Sequence, residues 1–294
     1  MAAFAARIDR DLIRQWMPMI TLVALALIVG TVTPQFLTVD SLLVLAADTA
    51  TLFILATGVT FVIMLGGIDL SIQSMASLSS VLIALSVSRF GYGSILLAVG
   101  AGALSGFLAG VAHVKLRIPS FIATLAVGGV LAGTALVISG ARSITLGEAE
   151  RGYLGWVSGY SLGVPHEVFI GIVVLVLAHV VQSRTRFGRY SAAIGAGEAA
   201  AYASGVKVDR TKILALTLSG ALAAFAGVIL AGRLSSGSPT LANELLLPAI
   251  AAVVVGGTAI TGGIGSIWRT AIGALIISVV RIGMTFVGVD IFAQ

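Results

Sequence analysis

The chain has 294 residues, of which 58% are hydrophobic and only 10% charged, and its mean hydropathy is +1.11. A soluble domain carries about a quarter charged residues, so this composition excludes a water-soluble protein of this length and places the chain in a bilayer. The net charge of +5 does not point to nucleic acid, because no basic stripe with interleaved aromatics occurs; zero cysteines exclude disulfides and thiolate metal sites, and His113, His166 and His179 lack metal-ligand spacing.

With roughly 20 apolar residues needed per helical span, the chain has room for about nine or ten. Residues 1–16 form an N-terminal segment with Arg7, Arg10 and Arg14, expected in the cytoplasm and amphipathic over 4–16. The apolar run that follows is long enough to cross a bilayer, and the small residues Ala24 and Ala26 lie inside it, so an uncleaved first helix is expected and not a signal peptide. Apolar runs predict spans near 17–36, 42–65, 70–88, 92–112, 119–139, 165–183, 212–232, 245–261 and 270–289, separated by Gly, Pro, Ser, Asp and Arg clusters. The run 70–88 is hydroxyl-rich and should face protein or water. The fold class is therefore all-α, a polytopic transmembrane helical bundle.

Loop charges give the bundle a direction. With the N-terminus in the cytoplasm, that side receives Arg7, Arg10, Arg14, Lys115, Arg117, Arg184, Arg186, Arg189, Lys207, Arg210, Lys212 and Arg269, whereas the outer side receives only Arg89, Arg142, Arg151 and Arg233, with Arg281 inside a span. This is the positive-inside pattern of a multi-pass inner-membrane protein.

Several motifs can be weighed on spacing alone. Gly102, Gly106 and Gly110 follow a small-xxx-small pattern that lets helix backbones approach in lipid, and Gly129 and Gly133 repeat it. Packing within one subunit is the main expectation, a dimer seam the alternative. Residues 57–71, ending Gly66-Gly67-Ile68-Asp69-Leu70-Ser71, faintly echo 252–267, ending Gly262-Gly263-Ile264-Gly265-Ser266. Gly159-Tyr160-Ser161-Leu162-Gly163 fits a nucleophile elbow but lies in an outer loop without the strand and helix that motif needs. Gly195-Ala196-Gly197-Glu198-Ala199-Ala200 resembles a dinucleotide fingerprint but follows a membrane span and lacks the later acidic residue. Neither Lys115, Lys207 nor Lys212 follows a glycine, so no phosphate-binding loop exists and any ATP hydrolysis belongs to another subunit.

The loop 184–211 is the most informative stretch. Its Ala-rich segment 198–204 predicts a short helix bounded by Gly197 and Gly205, with Glu198 at its start and Lys207 beyond its end, as the helix dipole favours. Such a helix, lying parallel to the membrane, could dock into a groove on a cytoplasmic motor. An ordinary basic loop against lipid head groups would account for the charge alone.

This loop, together with Gly66-Gly67-Ile68-Asp69-Leu70-Ser71, Ile118-Pro119-Ser120-Phe121-Ile122-Ala123-Thr124-Leu125 and Ala251-Ala252-Val253-Val254-Val255-Gly256-Gly257-Thr258, resembles the ribose/galactose/xylose-type permeases of bacterial ATP-binding-cassette importers. The resemblance implies a transmembrane permease domain over 17–294, about nine spans of a ten-helix fold, with a cytoplasmic coupling loop at 184–211. It implies no enzyme activity and no cofactor bound by this chain, ATP and Mg being held by partner ATPases. The implied partners are cassette ATPase subunits, a periplasmic solute-binding protein and a second permease copy or paralogue. By resemblance, Glu198–Gly205 is the coupling helix, and Arg186, Phe187, Gly188, Arg189, Gly195, Glu198, Ala200, Ala201 and Gly205 are ATPase-coupling residues.

The sequence departs from that family in three places. Leu246 and Pro248 stand where an acidic pair is usual, with Glu244 displaced upstream; Asp48 and Arg281 stand where amides are common; and the chain stops at Phe292-Ala293-Gln294, where a further helix is expected. Charges within spans cost about 2.5–3.5 kcal/mol each when central and lipid-facing, so Asp48 and Arg281 should face the bundle, and a mutual pair is one expectation. Asp69 is expected chiefly as an N-cap of the following helix, and as a solute contact otherwise. The remaining pathway candidates are Thr57, Thr60, Thr124, Thr258 and Thr261, with Thr49 beside them, although any single Thr can bond its own helix backbone. The outer loop 140–164, with Arg142, Glu148, Glu150 and Arg151, is the candidate surface for the binding protein. The competing reading is a stand-alone, ion-coupled secondary transporter using Asp48 and Arg281 as coupling charges.

Overall fold

The computed structural model describes residues 2–286, with side chains from Trp16 onward. The helices are α1 (Ala2–Val32), α2 (Val39–Met64), α3 (Ile72–Phe90), α4 (Gly93–Lys115), α5 (Ser120–Ser139), the small α6 (Glu148–Gly152) and α7 (Gly155–Ser158), α8 (His166–Arg184), α9 (Arg186–Ala196), α10 (Glu198–Ala203), α11 (Val208–Leu234), α12 (Leu246–Val255) and α13 (Ile267–Phe286). Four two-residue strands form two antiparallel pairs: β1 (Ile144–Thr145) with β4 (Ser236–Gly237), and β2 (Tyr160–Ser161) with β3 (Val164–Pro165). Arg7, Arg10 and Arg14 have no described side chains, and the last predicted span runs past Phe286, outside the described residues.

Among the described residues, α2, α4, α5, α8, α11 and α13 are long and apolar enough to cross a membrane. The seven predicted spans that begin near 42, 70, 92, 119, 165, 212 and 270 each coincide with one helix. The eighth departs. Instead of 245–261, α12 is a helix of 10 residues, which at 1.5 Å per residue covers about 15 Å, half of a 30 Å hydrocarbon core. It stops because Gly257 takes φ +88°. The N–H of Gly257 then bonds Val254 O at 2.8 Å, and that of Thr258 bonds Val253 O at 3.1 Å, the Schellman arrangement that closes a helix. Hydropathy continues through Thr258-Ala259-Ile260, so a window average passes over this stop.

Two helices make the centre. In α2 every residue from Thr49 to Met64 is buried, consistent with a helix that is apolar all round. It packs against α11, which is buried along most of its length. The hydroxyl-rich α3 also lies inside: Ser79 Oγ donates to Ala224 O of α11 at 2.6 Å, and Ser77 Oγ accepts from Ala242 N at 3.0 Å. Helices α4 and α11 touch backbone to backbone. A Cβ on Gly106 would lie 2.0 Å from Leu216 O, and one on Gly102 would lie 2.3 Å from Gly220 O. The first glycine series therefore packs within the subunit. Gly129 and Gly133 do not, since a Cβ on either meets nothing within 4 Å.

These two series give opposite expectations. Gly106→Ala must separate α4 from α11 and should cost about 1–3 kcal/mol, as overpacking does. Gly129→Ala should stay within about 0.5 kcal/mol of wild type. Thermal unfolding of the detergent-solubilised chain measures both; equal behaviour of the two variants would contradict the packing.

Candidate functional site

One end of the bundle is organised around a backbone joint. Helix α2 closes with a second Schellman turn: Gly66, at φ +80°, donates to Ile63 O at 2.8 Å, and Gly67 N–H donates to Val62 O at 3.0 Å. The aligned segments of the faint sequence echo are therefore not equivalent: the turn that matches Gly66 is at Gly257, and Gly262-Gly263 is the segment that touches Gly66. A Cβ on Gly262 would meet Gly66 N at 2.9 Å, and Gly263 N–H donates to Met64 O at 2.9 Å. Gly195 of α9 fits into the same contact, where a Cβ would fall 2.0 Å from Met64 O and 2.2 Å from Gly263 N.

The chain between α2 and α3 is held by α5. Ser120 Oγ accepts from Ile68 N at 2.9 Å, and Thr124 Oγ1, one turn on, accepts from Leu70 N at 3.0 Å. Asp69 is fully buried, and its Oδ1 accepts from Ser71 N at 2.9 Å and from Ser71 Oγ at 2.6 Å. This is an Asx-type turn and not the expected helix cap: the N-cap of α3 is Ser71, two residues further on. Asp69 Oδ2 has no hydrogen-bond partner.

Residues 184–211 wrap this joint. Phe187 packs on Phe61 of α2 with ring centroids 5.3 Å apart. Gly188 allows α9 to fold back on α8, for a Cβ there would lie 1.9 Å from Gln182 O. Gln182 clamps the other broken helix, its Nε2 donating to Gly265 O at 3.0 Å and its Oε1 accepting from Ile267 N at 2.9 Å. Helix α10 spans Glu198–Ala203 and ends in the same manner as α2, with Gly205 N–H on Tyr202 O at 2.9 Å and Val206 N–H on Ala201 O at 3.0 Å. Glu198 bonds Lys212 Nζ at 2.7 and 2.8 Å, tying α10 to α11; its charge is met by a side chain as well as by the helix dipole. Ala201 is buried against the bundle. The outward face of α10 presents Ala199, Ala200, Ala203 and Tyr202, the last 75% exposed. Arg186 and Arg189 are exposed on α9.

The hydroxyl candidates divide by their partners. Thr49, Thr57 and Thr60 are buried and donate to Leu45 O, Phe53 O and Ala56 O at 2.7, 2.8 and 2.7 Å, and Thr60 also meets Thr270 Oγ1 at 2.9 Å. Thr258 is buried with an unpartnered Oγ1, while Thr261 is exposed in the 256–266 link. None of these hydroxyls lines the charged cavity at the other end of α2.

Charged candidates converge at the opposite end. Asp48 pairs with Arg233, not with Arg281. The loop charges place Arg233 on the outer side and the apolar run 42–65 places Asp48 in a span, but α2 and α11 pack side by side and bring them together. Asp48, Arg233, Glu244 and Arg281 all line one cavity of about 580 Å³. The 140–164 segment roofs this end, anchored by the β1–β4 pairing and by Leu146 N–H on Ser235 O at 2.9 Å. Within it, Ser161 Oγ lies 2.8 Å from His166 Nε2 across the exposed β2–β3 hairpin. Among the described residues no acidic side chain bonds the other nitrogen of that His, as a triad would need.

Sequence reasoning did not single out Gln182, Lys212 or Arg233. A polar residue in the last turn of a span was the available signal for the first and last of them.

Six helices long and apolar enough to cross a bilayer, with α9 and α10 packed on one end, define a polytopic membrane bundle. The chain belongs to the family described as the permease component of branched-chain amino acid transport systems, whose model matches residues 41–293. It is 38% identical over 280 residues to the ribose import permease protein of Escherichia coli K12, covering 94% of this chain and 87% of that protein. Against the ribose import permease protein of Bacillus subtilis the identity is 40% over 279 residues, with 94% and 87% covered. Against the fructose import permease protein of Rhizobium meliloti it is 33% over 281 residues, with 92% and 77% covered. No solved structure matches the chain. As a family member it is a transport subunit, not an enzyme.

The Asp48–Arg233 pair is 37% and 26% exposed at its side chains, so its coupling should be that of a screened pair, about 0.2–1 kcal/mol. A double-mutant cycle of Asp48→Asn and Arg233→Gln on thermal stability measures it. The same cycle with Arg281→Gln should give no coupling, and a larger value there would reinstate the Asp48–Arg281 pair.

Proposed function

We propose that the chain is the membrane-spanning permease subunit of an ATP-binding-cassette importer that carries a sugar or similar small polar solute inward across the bacterial inner membrane. The observation that carries this reading is the near full-length identity to ribose and fructose import permeases, 38% over 94% of the chain for the first. Those names favour a sugar over the amino acid in the family description. In this reading the N-terminus and the 184–211 loop face the cytoplasm, where cassette ATPases hold ATP and Mg. A periplasmic binding protein meets the 140–164 surface, and a second permease copy or paralogue completes the pore.

The coupling role of 184–211 is supported by how it is held. Gly188, Gly195 and Phe187 fix α9 on the bundle, and Glu198 and Gly205 fix the two ends of α10. What remains available to a partner is Arg186, Arg189 and the face of α10 around Ala200 and Tyr202. The pathway role of Asp48 and Arg281 is supported by their shared cavity, and that of Thr258 by its unpartnered hydroxyl. Thr57, Thr60, Thr124 and Asp69 serve the path through the shape they give α2 and the 65–71 turn.

Reconstitution with the cognate ATPase and binding protein should give sugar uptake that requires ATP and all the subunits. Uptake by the purified chain alone, driven by an ion gradient, would establish the secondary-transporter reading instead. Ala200→Asp and Tyr202→Asp should each reduce ATP-driven uptake by about tenfold or more, the scale of losing roughly 1.4 kcal/mol at an interface anchor. Both should leave the unfolding midpoint of the chain unchanged.

A further inference from the structure

The cavity at the end away from α9 and α10 is a built polar chamber. Its charged groups come from four elements: Asp48 from α2, Arg233 from α11, Glu244 from the turn before α12, and Arg281 from α13. Two carboxylates and two guanidiniums cancel in formal charge. Only Asp48 and Arg233 pair; among the described residues the side chains of Glu244 and Arg281 make no ion pair.

A second, independent feature lies in the same wall. Thr51 is 3% exposed, lines this cavity, and its Oγ1 has no partner. The other threonines of α2, Thr49, Thr57 and Thr60, all donate to their own backbone four residues back, and among the four it is Thr51 that does not. Thr51 alone leaves that bond unmade, which is costly for a buried hydroxyl unless something in the chamber bonds it. The volume of about 580 Å³ lies within the span of small-molecule pockets.

The chemistry of the wall selects a ligand class. Carboxylates only accept hydrogen bonds and guanidiniums only donate them. A ligand that meets both at close spacing must offer donors and acceptors together, and a row of hydroxyls offers both on every group without carrying charge into the chamber. Because the charges cancel, neither a net anion nor a net cation gains from the field. Leu52 and Leu230 supply apolar wall for the C–H faces of a ring.

We propose that this cavity is a receiving site for a neutral polyhydroxylated solute, with Glu244 and Arg281 as its free hydrogen-bonding groups and Thr51 as its buried one. The proposal rests on the import reading above and assigns that function a place on this chain.

The absence of cysteine from the whole sequence permits a direct test. Thr51→Cys is introduced into the full chain in membrane vesicles, and an impermeant cationic thiol reagent is added from the periplasmic side. Thr240→Cys, on the same cavity wall, serves if the first variant does not fold. Labelling is expected, and D-ribose or D-fructose should slow it several-fold, whereas L-leucine should not. Glu244→Ala and Arg281→Ala, each combined with the reporter cysteine, should weaken that protection several-fold. No labelling, labelling that neither sugar slows, or protection by leucine alone overturns the proposal. Uptake by the wild-type complex is followed in parallel. ATP-driven uptake without protection refutes the site and leaves import standing; protection without uptake supports the site and refutes import.

Discussion

Buried backbone has no water to bond, and every break in this bundle is arranged to satisfy that constraint. Where α2 ends, Gly66 and Gly67 N–H groups return to Ile63 and Val62, Ile68 N–H goes to Ser120, Leu70 N–H to Thr124 and Ser71 N–H to Asp69. Where α12 ends, Gly257 and Thr258 return to Val254 and Val253, Ala259 bonds Ile264 O, Gly263 bonds Met64 O and Ile267 bonds Gln182. Two of these acceptors belong to the opposite break or to α8. The breaks are therefore not independent loops: each completes the hydrogen bonding of the other.

That interdependence extends to the 184–211 loop through α9. Gly195 touches Met64 and Gly263 at once, with no side-chain layer between α9 and the two helix ends. Close-packed interiors transmit displacement because they hold no free volume to absorb it. Helix α9 cannot shift without moving the end of α2 and the 256–266 link together. Glu198–Lys212 extends the same contact to the start of α11, and Gln182 extends it to the start of α13. A force on the exposed face of α10 thus reaches α2, α11 and α13, three helices that also frame the charged cavity.

Much of this was legible in the sequence where one dimension suffices. Hydropathy located the helices because each crossing needs its own apolar run, and glycine spacing marked the face of α4 that another helix approaches because close approach demands a missing Cβ, though not that the other helix is α11. The short helix at 198–204 was legible from its flanking glycines. What was not legible depends on neighbours distant in the chain. Asp48 and Arg233 are 185 residues apart, and nothing local marks them as partners. Hydropathy could not reveal the stop at Gly256-Gly257, since a window average carries the apolar run on through Ala259 and Ile260. Thr57, Thr60 and Thr51 look alike in sequence; only the fold distinguishes hydroxyls that bond their own helix from the one that faces a chamber.

The distribution of polar groups separates two tasks along one helix. At the joint the contacts are glycine backbone, and shape rather than charge is exacting there. At the opposite end α2, α11 and α13 surround charges that a continuous apolar core would not tolerate. Helix α2 carries Asp48 at one end of its buried stretch and Met64 at the other, 16 residues apart, or about 24 Å at 1.5 Å per residue. Its side chains between those points are buried on every face, and Thr57 and Thr60 are tied back to its own backbone. A helix so enclosed moves as a rod, so the position of Met64 in the joint and the position of Asp48 in the cavity are one variable. The Asp48–Arg233 contact marks the setting of α2 against α11 at one end, as the Gly195 contact marks it against α9 at the other.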